Sequence, residues 1–500
     1  MRILHAAYEW IDDALNPIVV KELRQAVQGK FITGILILFL FFQIGTLAFS
    51  LIDKAATNNF DLGRETFVVL MTFVLLAGTL AVPVYSGYRF ATERSDLDSD
   101  LLFITTITPR AIVRGKFLAA FALVMLFYCA SLPYMTITYF FRGIDLLSIF
   151  VLVVLSLVGV GLNIAICLFI ACLPLNFALR IVVGLGALMP LFWVFGLSVA
   201  MTSEFLRMGI GARLLTWGLW EDMTPVLLFL VFCLGMLYVL SVAAISPPAT
   251  NRAYGIRRFV TGFWALSLGI MLVYSVKAAN ARPLGAWIII ATGLLCMAIL
   301  GAVSERTWCG RRVARTIPTN FLGRRLAFLF YSGSAGGLAW AIGLIVMTQV
   351  LPVVLLDAWG LGGLDLGYSF EREREGIVAL TLYVIGYSLL GAWIRRTFFP
   401  DRIPVAFTWF LVALVAGLGG ALPPIIGFIL FGSDEEGWLL GNPFLGMQNG
   451  SWRETSLLFA AGFAGLMLLV HLPWMKAQWD RFQPVGEGAI DLDDVSALPS

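Results

Sequence analysis

Charged residues and histidine are scarce in this chain, and their scarcity decides its class. Only 13% of the 500 residues are charged and only two are histidine, whereas 60% are hydrophobic. A soluble protein of ordinary composition is roughly 25% charged, so a soluble globular domain is excluded. The hydrophobic residues also occur in runs of about 20, the length with which a helix crosses a hydrocarbon core. We therefore predict an all-α fold, that of a polytopic integral membrane protein.

The hydrophobic runs predict about 12 transmembrane helices. The run 404–432 contains Pro423 and Pro424, which predicts either a kinked span or a re-entrant element. Residues 173–177 must form a short turn if 146–201 holds two spans, so ten or eleven spans are the alternative. The predicted spans are 32–52, 66–88, 117–141, 146–173, 181–201, 226–246, 259–276, 284–303, 327–350, 377–394, 404–432 and 455–475.

Groupings of catalytic or metal-binding residues are missing as well. His5 and His471 lie near opposite ends of the chain, and nothing near them has metal-ligand spacing, so neither a metal site nor an enzyme is expected. The two Gly-Lys pairs, at 29–30 and 115–116, lack the first glycine of a phosphate loop, so any ATP is hydrolysed by another subunit. The six cysteines lie in or beside spans, where no extracellular disulfide is expected. No feature indicates binding to nucleic acid.

Asp, Glu, Lys and Arg are also missing from the predicted spans. Ion-coupled transporters keep such residues within the bilayer although each costs about 2.5–3.5 kcal/mol on insertion scales. Their absence weakens the case for a secondary transporter. It does not exclude one, because Gln43, Asn163 and Gln349 could still coordinate a cation. We interpret these three side chains as groups that hydrogen-bond neighbouring helices.

Basic residues fall mainly on one side of the predicted topology, whereas acidic residues divide evenly. Lys and Arg favour cytoplasmic loops, so both termini are predicted to be cytoplasmic, in the plasma (inner) membrane of a bacterium. Residues 1–31 lack the pattern of a cleavable signal peptide. The most basic loop contains Arg306, Arg311, Arg312, Arg315, Arg324 and Arg325.

A short amphipathic helix is predicted ahead of the first span, within the cytoplasmic segment 1–31. Asn16 and Pro17 suit the N-cap and the first helical position, and Gly29 suits the other end. Such a helix lies in the membrane interface. One face carries Val19, Val20, Leu23, Ala26 and Val27, and the other carries Lys21, Glu22, Arg24, Gln25 and Gln28.

The loop 89–116, between the second and third predicted spans, combines acidic residues with Leu97, Leu101 and Leu102. The part of this loop that precedes Thr108, which also contains Ile104, is too short to cross a membrane and too apolar to be a free linker, so we predict that it packs against another surface. Thr108 and Pro109 indicate the cap and first turn of the next helix.

Both segments resemble those of the membrane subunits of type 2 ABC exporters. In that family the loop often reads E-R-x-x-G-T-L-E-x-L-L-x-T-P-x-S-x-x-x-I-V-x-G-K, and the helix before the first span is similar to Asn16–Arg24. The sequence departs from the pattern where Leu97-Asp98 replaces Gly-Thr and Thr106 replaces Pro. The residues that match or substitute conservatively are Glu93, Arg94, Asp100, Leu101, Leu102, Thr105, Ile112, Val113, Gly115 and Lys116.

This resemblance implies the permease subunit of an ATP-binding-cassette exporter, which moves an unknown substrate. The helix 17–28 and the loop 93–108 would contact a separate ATPase subunit in trans, so ATP would act through that partner and this chain would bind no cofactor itself. The residues implied in ATPase coupling are Glu93, Arg94, Asp100, Leu101, Leu102, Gly115 and Lys116, and those of the interfacial helix are Asn16, Pro17, Lys21, Glu22 and Arg24.

The chain is longer than a six-span permease core, which would occupy 32–246. In that core the outer segment 202–225 stands where such permeases place an extracellular helical hairpin. Residues 247–475 hold a second group of about six spans, followed by a cytoplasmic tail, 476–500.

The second group could be a divergent repeat, giving two six-helix halves. Ser304-Glu305-Arg306 and Thr316-Ile317-Pro318 echo the segments around Glu93 and Pro109. Glu305, Arg306 and Pro318 would then belong to a second coupling loop. Without a repeat, the first six spans would need a second permease copy or another chain.

Two other function classes remain open from the sequence. One is a charge-poor secondary carrier or channel, and the other is a membrane scaffold that transports nothing. Both would share the lipid bilayer as surroundings but would have no ATPase partner.

Overall fold

The computed structural model describes residues 17–56, 61–95, 108–141, 143–247, 250–278, 280–306, 310–359, 370–400, 402–431, 436–442 and 453–484. Within these ranges the regular structure is helical, without a β-strand. In the same ranges 12 helices are long and apolar enough to cross a membrane. The all-α polytopic membrane fold predicted from the hydrophobic runs is confirmed.

The chain divides into two compact units, Met1–Ser246 and Pro247–Ser500. The division falls where the sequence analysis separated the first six spans from the second group. Whether the two units derive from one repeat stays a prediction.

In its described residues the first unit consists of a short helix followed by six spans, with a second short helix between the last two spans. A π-helical turn interrupts the second span. Its helices are α1 (Pro17–Gln28), α2 (Lys30–Ala56), α3 (Leu62–Leu75), α4 (Val82–Ser95), α5 (Pro109–Thr138), α6 (Leu146–Cys172), α7 (Phe177–Met208), α8 (Ile210–Arg213) and α9 (Trp217–Ile245), and the π-helical turn is Leu76–Ala81.

The core of the first unit lies between α3, α5 and α6, where Phe67, Phe127 and Ile164 are fully buried. The outer sides of α2 and α7 expose large apolar side chains such as Phe49 and Trp193. An apolar outer surface is expected of helices that are hydrophobic all round and face lipid.

The π-helical turn between α3 and α4 is stabilised by α6. A π turn leaves backbone carbonyls without their usual helical partners. Asn163 Nδ2 donates to the Thr79 carbonyl at 2.8 Å and to the Leu191 carbonyl at 3.3 Å. Asn163 therefore hydrogen-bonds neighbouring helices, in agreement with its interpretation from sequence.

The second unit also contains six spans, together with two short helices. Leu295, Leu338 and Leu389 form part of its core. Its helices are α10 (Arg252–Ala278), α11 (Arg282–Val303), α12 (Arg311–Ala314), α13 (Phe321–Phe330), α14 (Ser334–Ala358), α15 (Phe370–Phe398), α16 (Thr408–Phe431) and α17 (Arg453–Arg481).

The structure revises three predicted segments. The span predicted at 327–350 begins at Ser334, because the helical structure is interrupted between the end of α13 at Phe330 and the start of α14. The run 404–432 forms α16, one helix that includes Pro423 and Pro424, so the re-entrant alternative is wrong. In the outer segment 202–225, α7 extends to Met208 and α9 begins at Trp217, so only a short connection remains.

Candidate functional site

Four charged side chains meet at one end of the first unit. Lys116 Nζ lies 2.6 Å from Glu22 Oε1 and also donates to Glu93 Oε2. Arg89 Nε lies 3.5 Å from Glu93 Oε1 and 3.8 Å from Glu22 Oε2. We call Glu22, Arg89, Glu93 and Lys116 the charge cluster. Two positive and two negative charges leave it neutral.

Three helices supply the charge cluster. Glu22 comes from the middle of α1, and Arg89 and Glu93 lie one turn apart near the end of α4. Lys116 lies in the second turn of α5, which begins where the Thr108 hydroxyl accepts a hydrogen bond from Ala111 N at 3.3 Å. The predicted cap and first turn at Thr108 and Pro109 are confirmed. The cluster therefore ties together both ends of the loop 96–107 and the helix that precedes the first span.

The charge cluster is largely withdrawn from solvent. Lys116 is 8% exposed and Glu22 is 9% exposed, and the Phe90 ring lies 5.0 Å from Lys116 Nζ. A buried charge without a partner is strongly unfavourable, so each member depends on the others. Tyr85 lines a small cavity beside the cluster, together with Glu22, Arg89 and Lys116.

Three of the residues implied by the family resemblance meet in this cluster: Glu22, Glu93 and Lys116. The amphipathic pattern predicts Glu22 on the polar face of α1. That assignment is wrong, because Glu22 is buried with Val19 and Ala26, whereas the apolar Val27 is exposed.

Of the other implied residues, those that the structure describes lie outside the cluster. Pro17 begins α1, and Lys21 and Arg24 lie on its exposed side. Gly115 is buried within α5. Asn16, Asp100, Leu101 and Leu102, and the side chain of Arg94, lie outside the described residues.

Three members of the site, Arg89, Gln25 and Tyr85, were not predicted from the sequence. Arg89 was counted as an ordinary loop charge, Gln25 accepts a hydrogen bond from it, and the Tyr85 hydroxyl accepts another at 3.2 Å. One signal was available, because Arg89 and Glu93 have the i,i+4 spacing of a helical ion pair. This spacing is informative only if α4 is predicted to continue beyond the hydrophobic run into the predicted loop.

The second unit contains an ion pair of its own, in which the arginine is buried and the glutamate is partly exposed. Arg257 of α10 is 2% exposed, and its Nη2 lies 2.6 Å from Glu305 Oε2. Arg257 also donates to the carbonyls of Leu329, Tyr331 and Gly333, at 2.8, 2.5 and 3.2 Å. This pair therefore holds the break between α13 and α14 against the end of α11.

Glu305 also binds the segment between α13 and α14 directly, because Gly333 N donates a hydrogen bond to Glu305 Oε2 at 2.9 Å. Burial raises the pKa of Glu305, although Arg257 and the Gly333 hydrogen bond act in the opposite direction. Of its two companions in the predicted second coupling loop, Arg306 is exposed and Pro318 is half-buried.

The other two polar side chains singled out from sequence, Gln43 and Gln349, hydrogen-bond neighbouring helices. Gln43 Nε2 donates to the Leu70 carbonyl at 3.1 Å, and Gln349 Nε2 donates to Thr292 Oγ1 at 2.8 Å. The residues that the structure describes contain no group of three or more His, Cys, Asp or Glu that could hold a metal ion.

The chain is an integral, multi-pass membrane protein with transporter-like architecture. Comparison with protein-family models, with curated proteins and with solved structures finds no match.

Proposed function

We propose that this chain is the membrane-spanning subunit of an ATP-driven exporter, and that a separate subunit hydrolyses the ATP. The observation that supports this most directly is the charge cluster. It joins the two segments that resemble the ATPase contact of type 2 ABC exporters, the helix α1 and the loop between α4 and α5.

The geometry gives the loop 96–107 a mechanical connection to the spans. Glu93 lies two residues before the end of α4, and Lys116 lies two turns into α5. A partner that pushes on this loop would therefore move α4 and α5 together. Glu22 extends the same connection to α1, so the three helix ends would move as one body.

The π-helical turn gives this body a place to bend. Such turns interrupt the regular hydrogen bonding of a helix and occur frequently at functional sites. Residues 76–81 separate α3 from the part of the span that carries Arg89 and Glu93. Movement at the loop would reach the membrane interior through this turn and through Asn163, which binds it.

The decisive experiment changes Glu93 and Arg94 together to alanine in the full-length protein. Weaker co-purification of the ATPase subunit, or ATP hydrolysis that no longer depends on the permease, is expected while membrane insertion is unchanged. The matched control is Arg64→Ala with Glu65→Ala, the same two residue types at the opposite end of this span. Full ATPase association and full transport in the Glu93/Arg94 variant would leave a carrier, a channel or a scaffold as the better description.

A further inference from the structure

Two adjacent arginines end the fourth span of the second unit. Arg395 and Arg396 lie in the last turn of α15, beside α17. Arg396 Nε donates to the Ala392 carbonyl at 3.1 Å, and its guanidinium carbon lies 4.1 Å from the centre of the Trp474 ring. His471 is one turn away on α17, with its ring centroid 5.8 Å from that of Trp474.

Arg395 differs from the other buried cations of the described chain. It is 7% exposed, yet its Nε has no hydrogen-bond partner among the described residues. Lys116 and Arg257 are each paired with a carboxylate, and Arg180, whose Nε also lacks a partner, donates through Nη1 and Nη2 to three backbone carbonyls. Burying a cation without such compensation is strongly unfavourable.

Among the described residues, the neighbours of Arg395 supply no negative charge and include a second cation, Arg396. Arg396 is close enough to Arg395 for repulsion between their positive charges. His471 Nδ1 donates to the Met467 carbonyl at 2.7 Å, while its Nε2 has no partner among the described residues. An anion between α15 and α17 would compensate the positive charges of both arginines.

The surroundings indicate which kind of anion fits. Guanidinium groups match phosphate oxygens in geometry and bind them through two hydrogen bonds. The exposed Trp393 and Phe398 flank the arginines on α15, and Trp474 lies beneath Arg396. Aromatic rings next to arginine at the end of a span are typical of the level of lipid headgroups, and basic pockets between spans bind anionic headgroups there.

We propose that Arg395 and Arg396 bind the phosphate of an anionic phospholipid in a site between α15 and α17. The apolar flank explains why a lipid rather than free phosphate is the ligand, because acyl chains would cover Trp393 and Phe398. This site does not depend on the transport function proposed above.

The test measures phosphatidylglycerol binding to the full-length protein. Wild-type protein and an Arg395→Gln/Arg396→Gln variant are reconstituted in phosphatidylcholine nanodiscs that contain increasing phosphatidylglycerol, and bound lipid is counted by native mass spectrometry after release. Loss of both charges should weaken binding by about 30-fold. Inorganic phosphate added to protein in pure phosphatidylcholine should not displace or replace the lipid.

The control is Arg312→Gln/Arg315→Gln, which removes the same charge from exposed positions of the basic loop. Equal loss of lipid in both variants would mean diffuse attraction and would overturn the site. Thermal unfolding provides a second measure. In pure phosphatidylcholine the Arg395→Gln/Arg396→Gln variant should be at least as stable as wild type, and phosphatidylglycerol should raise the melting temperature of wild type only. A variant that is stabilised equally by phosphatidylglycerol, or phosphate that protects wild type as well as the lipid does, would contradict the proposal.

Discussion

Lys116 is the residue on which the charge cluster most depends, because it contacts both carboxylates. Removing it leaves Glu22 buried beside Arg89 alone, at a distance too long for a hydrogen bond. Glu93 is less affected, since it is partly exposed and keeps Arg89 within 3.5 Å. The cluster is thus asymmetric, with its weakest point at Glu22.

Lys116→Ala should therefore destabilise the protein by about 3 kcal/mol, the lower end of the cost of breaking a buried ion pair. Thermal and chemical unfolding of the detergent-solubilised protein would measure this. Lys21→Ala on the exposed side of α1 is the control, with an expected change within about 0.5 kcal/mol. Similar effects of the two substitutions would show that the cluster contributes nothing to stability.

Glu305 makes stability depend on pH. Because burial raises its folded-state pKa above the ordinary value of 4.5, the folded protein still holds a proton at pH values where the unfolded chain has lost it. Stability should therefore fall as pH rises through the interval between these two pKa values. Melting temperatures of wild type and Glu305→Gln, measured from pH 4 upwards, should diverge in this interval. The melting temperature of wild type should fall relative to that of the variant. Divergence in the opposite direction would mean that Arg257 outweighs burial and lowers the pKa.

At the scale of helices, α4 and α6 are close because Gly87 has no side chain. A Cβ atom at position 87 would lie 2.9 Å from Cys167 Cβ and 3.1 Å from the Cys167 carbonyl oxygen. Since the second of these atoms belongs to the backbone, the helices would have to separate. The approach fixes the end of α4 that carries Arg89 and Glu93.

Gly87→Ala should destabilise the protein by about 1–3 kcal/mol, as expected of overpacking. Gly184→Ala is the control, because a Cβ there meets nothing within 4 Å. The control should be neutral, or stabilising by up to about 1 kcal/mol, since alanine is the better helix former. Unfolding measurements on both variants in the same detergent decide the matter, and a stable Gly87→Ala protein would refute the close approach.

The helices could be predicted from sequence because hydrophobic runs of spanning length have few alternative structures. Their ends could not. The charges at the ends of α4, α5, α10 and α15 lie beyond the apolar runs, so they were assigned to loops although the helices continue through them. For this reason only a family pattern indicated a role for Glu93 and Lys116. The hydrophobic pattern did not predict that Arg89, Arg257 and Arg395 are withdrawn from solvent.

At the scale of the whole chain, the distribution of basic residues predicts which segments are exposed on each side of the membrane. The basic loop 304–326 and the loop 96–107 should be cytoplasmic, and the connection between α7 and α9 should be external. The second unit carries most of its arginines at one end of its spans, the end that contains Arg257, Arg324 and Arg395. The basic residues therefore predict the orientation of the second unit in the membrane more strongly than that of the first.

Single cysteines in a cysteine-free protein would test this topology in sealed cells. Phe60→Cys, Leu215→Cys and Asp365→Cys should react with a membrane-impermeant maleimide added outside, whereas Asp100→Cys and Arg315→Cys should react only after the membrane is opened. External labelling at position 100 would reverse the orientation and remove the loop from the side where ATP is available.

The π-helical turn at Leu76–Ala81 also determines where this span can tolerate the deletion of a single residue. A π turn holds one residue more than a turn of α-helix, so deleting a single codon within it would leave a continuous helix with α3 and α4 still facing the same way. The same deletion anywhere between Val82 and Arg89 would rotate the remainder of α4 by about 100° and carry Glu93 away from Lys116. In-frame deletions that preserve the folded protein with its charge cluster should therefore be confined, along this span, to the six codons for residues 76–81.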